Sequence, residues 1–292
     1  MIIEILWHNP NLHYYQGFHD VCTTFLLVLG KRLAILAAEN VAMFFLRDGM
    51  LDSIDPVSRQ LSLVTTLLKL ENPGLHEFLM NANIMPFYTL SWVLMWFSHD
   101  LTDFDKVMRL FDLFMASTPL MPIYVTCAIV LSHGQELLLQ EPEMVHMYLV
   151  NLPQDPDMDI DEIIQMAIML EKKYPLMDLQ KRSGTWLDEC SPVNTYETEW
   201  RCLDADTHRD RIAMEQCLTM PLRRMMDHAI RSRGRDVRVC GSDCRAGSLC
   251  EEGGMELLNT TIYFFFCFFS LVILALSRCD AGICADRPSD CS

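Results

Sequence analysis

From Val21 to about Pro175 the apolar residues return every three or four positions. The runs "RLAILAAENVAMFFLRD", "PVSRQLSLVTTLLKL", "PFYTLSWVLMWFSHDL" and "DFDKVMRLFDLFMAS" carry that spacing, and Gly, Pro or Asn stands at the breaks between them. Side chains three and four apart share one face of a helix, so each run predicts a helix packed on its neighbours. No period-two alternation bounded by turn residues predicts a strand. Thr102 and Asp159 are expected as N-caps, because Asp105 and Glu162 follow three residues on, close to a capping box. The stretch "PLMPIYVTCAIVLS", Pro119–Ser132, is too short to span a membrane and carries prolines where a first helical turn accepts them, so it predicts a buried helix. Trp92, Trp96 and Phe97 read as core aromatics. The predicted fold class is all-α.

After Leu176 the periodicity fades into Ser, Gly, Pro and mixed charge. The expected organisation is a helical domain over 1–177, a flexible linker over 178–255 with some helix around Arg211–Ile230, a transmembrane helix over 256–277 and a short tail over 278–292. The membrane segment rests on Leu257–Leu276, 20 residues without a charge. At about 1.5 Å per residue such a helix is about 30 Å long, the thickness of a bilayer's hydrocarbon core. Arg231, Arg233, Arg235, Arg238 and Arg245 precede it, and Arg278 and Arg287 follow. The positive-inside bias then puts the large N-terminal part in the cytosol.

Charge narrows the function further. The 292 residues carry a formal net charge of −16, which argues against nucleic acid as a partner, since phosphate backbones require a concentrated basic surface. Cys22 and Cys127 lie in apolar runs, as buried thiols of a reducing compartment do. Cys240, Cys244 and Cys250 lack the paired spacing or partner His of a zinc site.

The chemistry is concentrated in "LHYYQGFHD", Leu12–Asp20. Gly17 frees the backbone for a turn leading into a helix from about Asp20, and Gln16 then projects outward. A Gln side chain is a poor acid or base, but it both donates and accepts hydrogen bonds, which suits holding a water for attack on a phosphoryl group. The rings of Tyr14, Tyr15 and Phe18 are expected to pack the turn, and Asp20 to cap the helix or bond the turn's backbone. Arg109 and Asp112, three apart, are expected to pair with each other or across helices. His8, His13, His19 and Asp20 form a weaker candidate metal set, without the i, i+4 spacing of helical zinc sites.

Tyr15-Gln16-Gly17-Phe18-His19-Asp20 matches the Y-Q-G-x-x-D signature of the TBC family, all-helical domains that act as GTPase-activating proteins on Rab GTPases. "LSWVLMWFSHDLTDFDKVMRLFDLFMASTPLMPIY" resembles the family's later helices, with Trp92, Trp96, Arg109 and Asp112 at the expected kind of positions. The resemblance covers about Ile5–Pro175. It implies that Gln16 positions the hydrolytic water on a partner Rab in its GTP form, with Tyr15, Gly17 and Asp20 in support; the GTP and Mg²⁺ belong to the Rab, and the chain needs no cofactor of its own. With the C-terminal span, the whole is similar to a membrane-anchored branch of the family at the endoplasmic reticulum, serving early secretory traffic. The family's arginine motif, I-x-x-D-x-x-R, is expected upstream of the glutamine motif and has no counterpart before Gln16, which implies a domain lacking its N-terminal part. Two readings follow from the resemblance, a Rab-GAP and a non-catalytic, membrane-anchored Rab-binding module.

Overall fold

The computed structural model describes residues 1–198. The α-helices among them run in this order: α1 (Ile2–His8), α2 (Phe18–Phe44), α3 (Asp55–Glu71), α4 (Pro73–Asn81), α5 (Leu90–Leu94), α6 (Phe104–Ala116), α7 (Met121–Ser132), α8 (Gly134–Leu137), α9 (Val145–Asn151), α10 (Ile160–Lys173) and α11 (Leu176–Ser183), and residues 192–198 are helical as well. Short 3-10 turns lie at Arg47–Met50, Pro86–Thr89 and Leu152–Gln154. No strand occurs among the described residues, as the three- and four-residue spacing requires. The expected membrane helix, and the linker and tail beyond residue 198, lie outside the described residues.

Helix α7 forms the centre of the fold. Its ten residues from Met121 to Val130 are all buried, and α3, α5, α6 and α10 pack against it. A helix apolar on every side is stable in water only where other helices cover it, so Pro119–Ser132 is a core element, as expected. The surrounding helices present one stripe each: Val57, Leu61, Val64 and Leu68 on α3, and Ile163, Ala167 and Leu170 on α10. The Tyr124 hydroxyl donates to the Tyr174 carbonyl at 2.6 Å, tying α7 to the end of α10.

Of the two expected N-caps, one stands as expected and one is shifted by a residue. Asp159 accepts from the backbone N–H of Asp161 and Glu162, the expected cap of α10, an interaction worth about 1 kcal/mol. The cap of α6 is Asp103 rather than the expected Thr102, its carboxylate accepting from the Asp105 N–H at 2.9 Å. A carboxylate serves the positive end of the helix dipole better than a hydroxyl one residue further out.

Two departures from the sequence pattern matter for the site. "PFYTLSWVLMWFSHDL" is not one helix: it is a 3-10 turn, the five-residue α5 and then a bend in which Trp96 (φ 51°) and Phe97 (φ 63°) take left-handed backbone. Each such residue costs about 1–3 kcal/mol. Burying an aromatic ring of roughly 200 Å² contributes about 5 kcal/mol at 25 cal/mol per Å². Both rings are buried to 1% exposure or less, Trp96 edge-on to Phe45 and Phe111 and Phe97 stacked on Phe114, so burial wins.

The second departure is the end of the domain. Packing continues past residue 177 to the last described residues. Asp48, buried, accepts from Gln60 Nε2 and from Ser191 Oγ, both at 2.6 Å. Arg47 donates to the Cys190 carbonyl, and Gln180 accepts from the Leu187 N–H. The polar residues that read as a solvated linker here bond one another and the domain, while Leu187 and Val193 are buried beside them.

Helix α2 is long and apolar enough, by length and composition, to cross a membrane, yet it belongs to the packed unit and is broken at Gly30 (φ 71°, ψ 164°). Within it Phe25 is buried, whereas Leu26 and Leu27 are exposed alongside Ile3 and Trp7 of α1.

Candidate functional site

The turn before α2 is held from one side by residues almost eighty positions later. Helix α2 starts at Phe18, two residues ahead of the expected Asp20, and Gly17 is its N-cap residue with φ 112°. Such a φ favours glycine. A Cβ on Gly17 would stand 2.5 Å from Met95 Sδ, so the missing side chain also lets the 94–100 bend close onto the turn. Tyr15 donates from its hydroxyl to the Leu94 carbonyl at 2.6 Å and packs its ring on Phe18, itself fully buried. Burial raises the Tyr15 phenol well above its ordinary range, so it stays a neutral donor.

Between these two anchors Gln16 is exposed. An amide fixed at its backbone and free at its tip can offer a donor and an acceptor to something docked on this face. Tyr14, expected to pack, is also exposed, and its hydroxyl lies 2.9 Å from His19 Nδ1.

Asp20 does not cap α2. It lies in the first helical turn, with His19 Nε2 3.5 Å from one carboxylate oxygen and His99 Nδ1 3.3 Å from the other. Next to His99, Asp100 accepts from Ser91 Oγ at 3.0 Å, and its other oxygen is buried without a hydrogen-bond partner among the described residues. Burial raises the Asp100 carboxyl above its usual range, the Ser91 hydrogen bond and His99 oppose that shift, and Asp20 adds to it.

Trp92 and Trp96 belong to the core rather than to the exposed turn; their rings are buried against Tyr88 and Phe97, and against Phe45, Phe111 and Phe114. Arg109 and Asp112 do not pair with each other. Arg109 Nε donates to Asp161 of α10 at 3.0 Å, while Asp112 turns inward and its Oδ1 has no hydrogen-bond partner among the described residues. At three residues' spacing they leave α6 towards different surroundings, one at the rim and one in the core. Burial pushes the Asp112 carboxyl up to about 7, against the opposing charge of Arg109.

The sign of that shift fixes a pH dependence. The folded state binds the Asp112 proton more tightly than the unfolded chain, so this group's contribution is full below about pH 4 and is lost as pH rises through about 7. Asp112→Asn is expected to be more stable than the parent at pH 8, by about 2 kcal/mol, and no more stable at pH 4. Urea unfolding at both pH values checks it; an equal change at both would mean that folding does not shift the Asp112 carboxyl.

The histidines of the motif region are each taken by a different carboxylate: His8 by Glu39, His13 by Asp52 and His19 by Asp20. Among the described residues no group of three metal-ligating side chains is placed to hold an ion. The Cys22 thiol, one turn into α2, is buried and raised to about 12, which makes it inert. Leu94, Met95, His99 and Asp100 complete the surroundings of the turn and were not legible as such, because nothing in "VLMWFSHDL" announces left-handed backbone at two aromatic residues.

Residues 3–138 match the family model described as the Rab-GTPase-TBC domain. Over 186 residues, 63% of this chain, the sequence is 40% identical to "TBC1 domain family member 20" of Bos taurus and 40% identical to the protein of that name in Homo sapiens. Over 184 residues it is 36% identical to "GTPase-activating protein gyp10" of Schizosaccharomyces pombe, covering 61% of this chain and 49% of that protein. The chain spans about half the length of these curated relatives, 46% for the two mammalian proteins.

Proposed function

Residues 3–138 belong to the Rab-GTPase-TBC domain family, and on that premise we propose that the chain accelerates GTP hydrolysis on a Rab, with Gln16 holding the attacking water. The observation that carries the reading is an exposed glutamine on a turn anchored at both sides by Tyr15 and Gly17. Phosphoryl transfer leaves little covalent chemistry to the protein, so catalysis is positioning plus charge stabilisation, and a pre-set amide supplies the first. The similar fission-yeast protein, named a GTPase-activating protein, supports the same reading. The second requirement, positive charge on the transferred group, is worth roughly 10³–10⁵ in rate when supplied by an arginine. Arg47 is engaged with Cys190 and Thr195, and Arg109 with Asp161.

The test is a panel of GTP-loaded Rab GTPases assayed with and without the chain. Acceleration of at least one, saturable in chain concentration, is expected. Binding to a GTP-loaded Rab with no acceleration would leave the non-catalytic docking module instead.

The same proposal places the domain at a membrane, through the uncharged span Leu257–Leu276, with the endoplasmic reticulum and an early secretory Rab as the setting that the resemblance implies. The full chain is expected to stay with membranes under alkaline carbonate extraction, and a chain ending at Gly253 to be released. Recovery of the full chain in the soluble fraction would remove the anchor.

A further inference from the structure

The segment between α5 and α6 touches the Gln16 turn at three successive places. The Leu94 carbonyl receives the Tyr15 hydroxyl, Met95 occupies the space beside Gly17, and His99 faces Asp20. The chain reaches all three only by the left-handed backbone at Trp96 and Phe97, which the buried rings hold in place. Two adjacent non-glycine residues in that region are costly, and such strain is kept where the surrounding packing over-determines it. The bend aims the 94–100 segment at the motif.

Of the three contacts, one can change its charge. His99 Nδ1 lies 3.3 Å from one Asp20 oxygen, and Asp100 follows it in the chain; on the other Asp20 oxygen stands His19, whose second ring nitrogen faces the Tyr14 hydroxyl. With His99 protonated, a cation carried on the bend faces the Asp20 anion of α2. With it neutral, that attraction is gone and the like charges of the half-buried Asp20 and Asp100 oppose each other, Asp20 keeping His19 and Asp100 keeping the Ser91 hydroxyl. Histidine is the side chain that changes charge between pH 5 and 8.

We infer that Leu94–Asp100 is the positioning element of the Gln16 turn, and that protonated His99 clamps it through Asp20, so that the chain's effect on a Rab weakens as pH rises. The inference rests on the reading of Gln16 as the residue that orients water on a partner's nucleotide. His99 is a positioning residue in it: it acts through Asp20 and touches no substrate.

Two measurements on the full chain test it. In the first, which needs no partner, the Gln16 and Gly17 backbone amides are followed by NMR from pH 5 to 8 beside the His99 ring resonance. They are expected to titrate together in the parent and to lose that titration in His99→Gln; titration that persists in His99→Gln overturns the clamp. In the second, GTP hydrolysis by a responsive Rab is measured at pH 6 and pH 8, relative to that Rab's intrinsic rate at each pH. The parent's kcat is expected to fall about twofold to fivefold, the range of one exposed charge pair, with KM unchanged. His99→Lys keeps the higher rate at both pH values and His99→Gln the lower rate at both. Parallel profiles for the three proteins overturn the inference. Coupled titration with no acceleration at any pH keeps the clamp and removes the GTPase reading, which separates the two.

Discussion

Gln16→Ala is expected to keep the parent's melting temperature and to lower its acceleration of Rab GTP hydrolysis by about 10²-fold, the loss that follows removal of one pre-set hydrogen-bonding group from a reacting centre. The two halves of that expectation come from different features. Stability is untouched because the Gln16 side chain is exposed and caps no helix; such positions change stability by no more than about 0.5 kcal/mol. Activity is lost because a methyl group can neither accept from nor donate to a water. Affinity for a Rab carrying GDP and aluminium fluoride should fall with the rate, whereas affinity for the GDP form should not, since a water-holding amide of the proposed kind acts only where the transferring group is present. A variant that unfolds, or one that hydrolyses at the parent's rate, would return Gln16 to the role of an ordinary turn residue.

Gly17→Val is the opposite case, expected to lose stability first and activity as a consequence. The backbone there sits at φ 112°, which a β-branched residue does not adopt without strain, and the new side chain would meet Met95 atoms at 2.5–2.7 Å. Met95 is half-exposed and flexible, so part of the collision is relieved by its movement, at the expense of the contact that seats the bend on the turn. A loss of about 3 kcal/mol is expected, mostly backbone strain. Gly17→Ala separates the collision from the strain: adding Met95→Ala to it should recover the part of the cost set by the contact and leave the part set by the backbone. Urea midpoints at an unchanged m-value measure both. No recovery would mean that Met95 does not press on the turn.

Much of this domain was legible in local patterns. Spacing of three and four is local to the chain, so helices α3 and α6 stand where the apolar positions put them, and α7 stands where the short, proline-led apolar run predicted a buried helix. Asp159 bonds N–H groups two and three residues ahead, and that distance is also local. The Gln16 motif was readable for the same reason, being six contiguous residues whose turn is announced by its glycine.

What the sequence left open was the partner of each group over long separations. Tyr15 bonds a carbonyl 79 positions away, Arg109 turns from Asp112 to a carboxylate 52 positions away, and Ser191 reaches Asp48 across 143. A hydroxyl, a guanidinium or a carboxylate has many acceptable partners of equal chemistry, and only the packed helices decide which comes within 3 Å. The same holds for the left-handed Trp96 and Phe97. Locally that backbone is unfavourable, so no pattern signals it; it exists because the buried rings contribute more than the bend costs, and it is this bend that sets Leu94, Met95 and His99 around the glutamine turn.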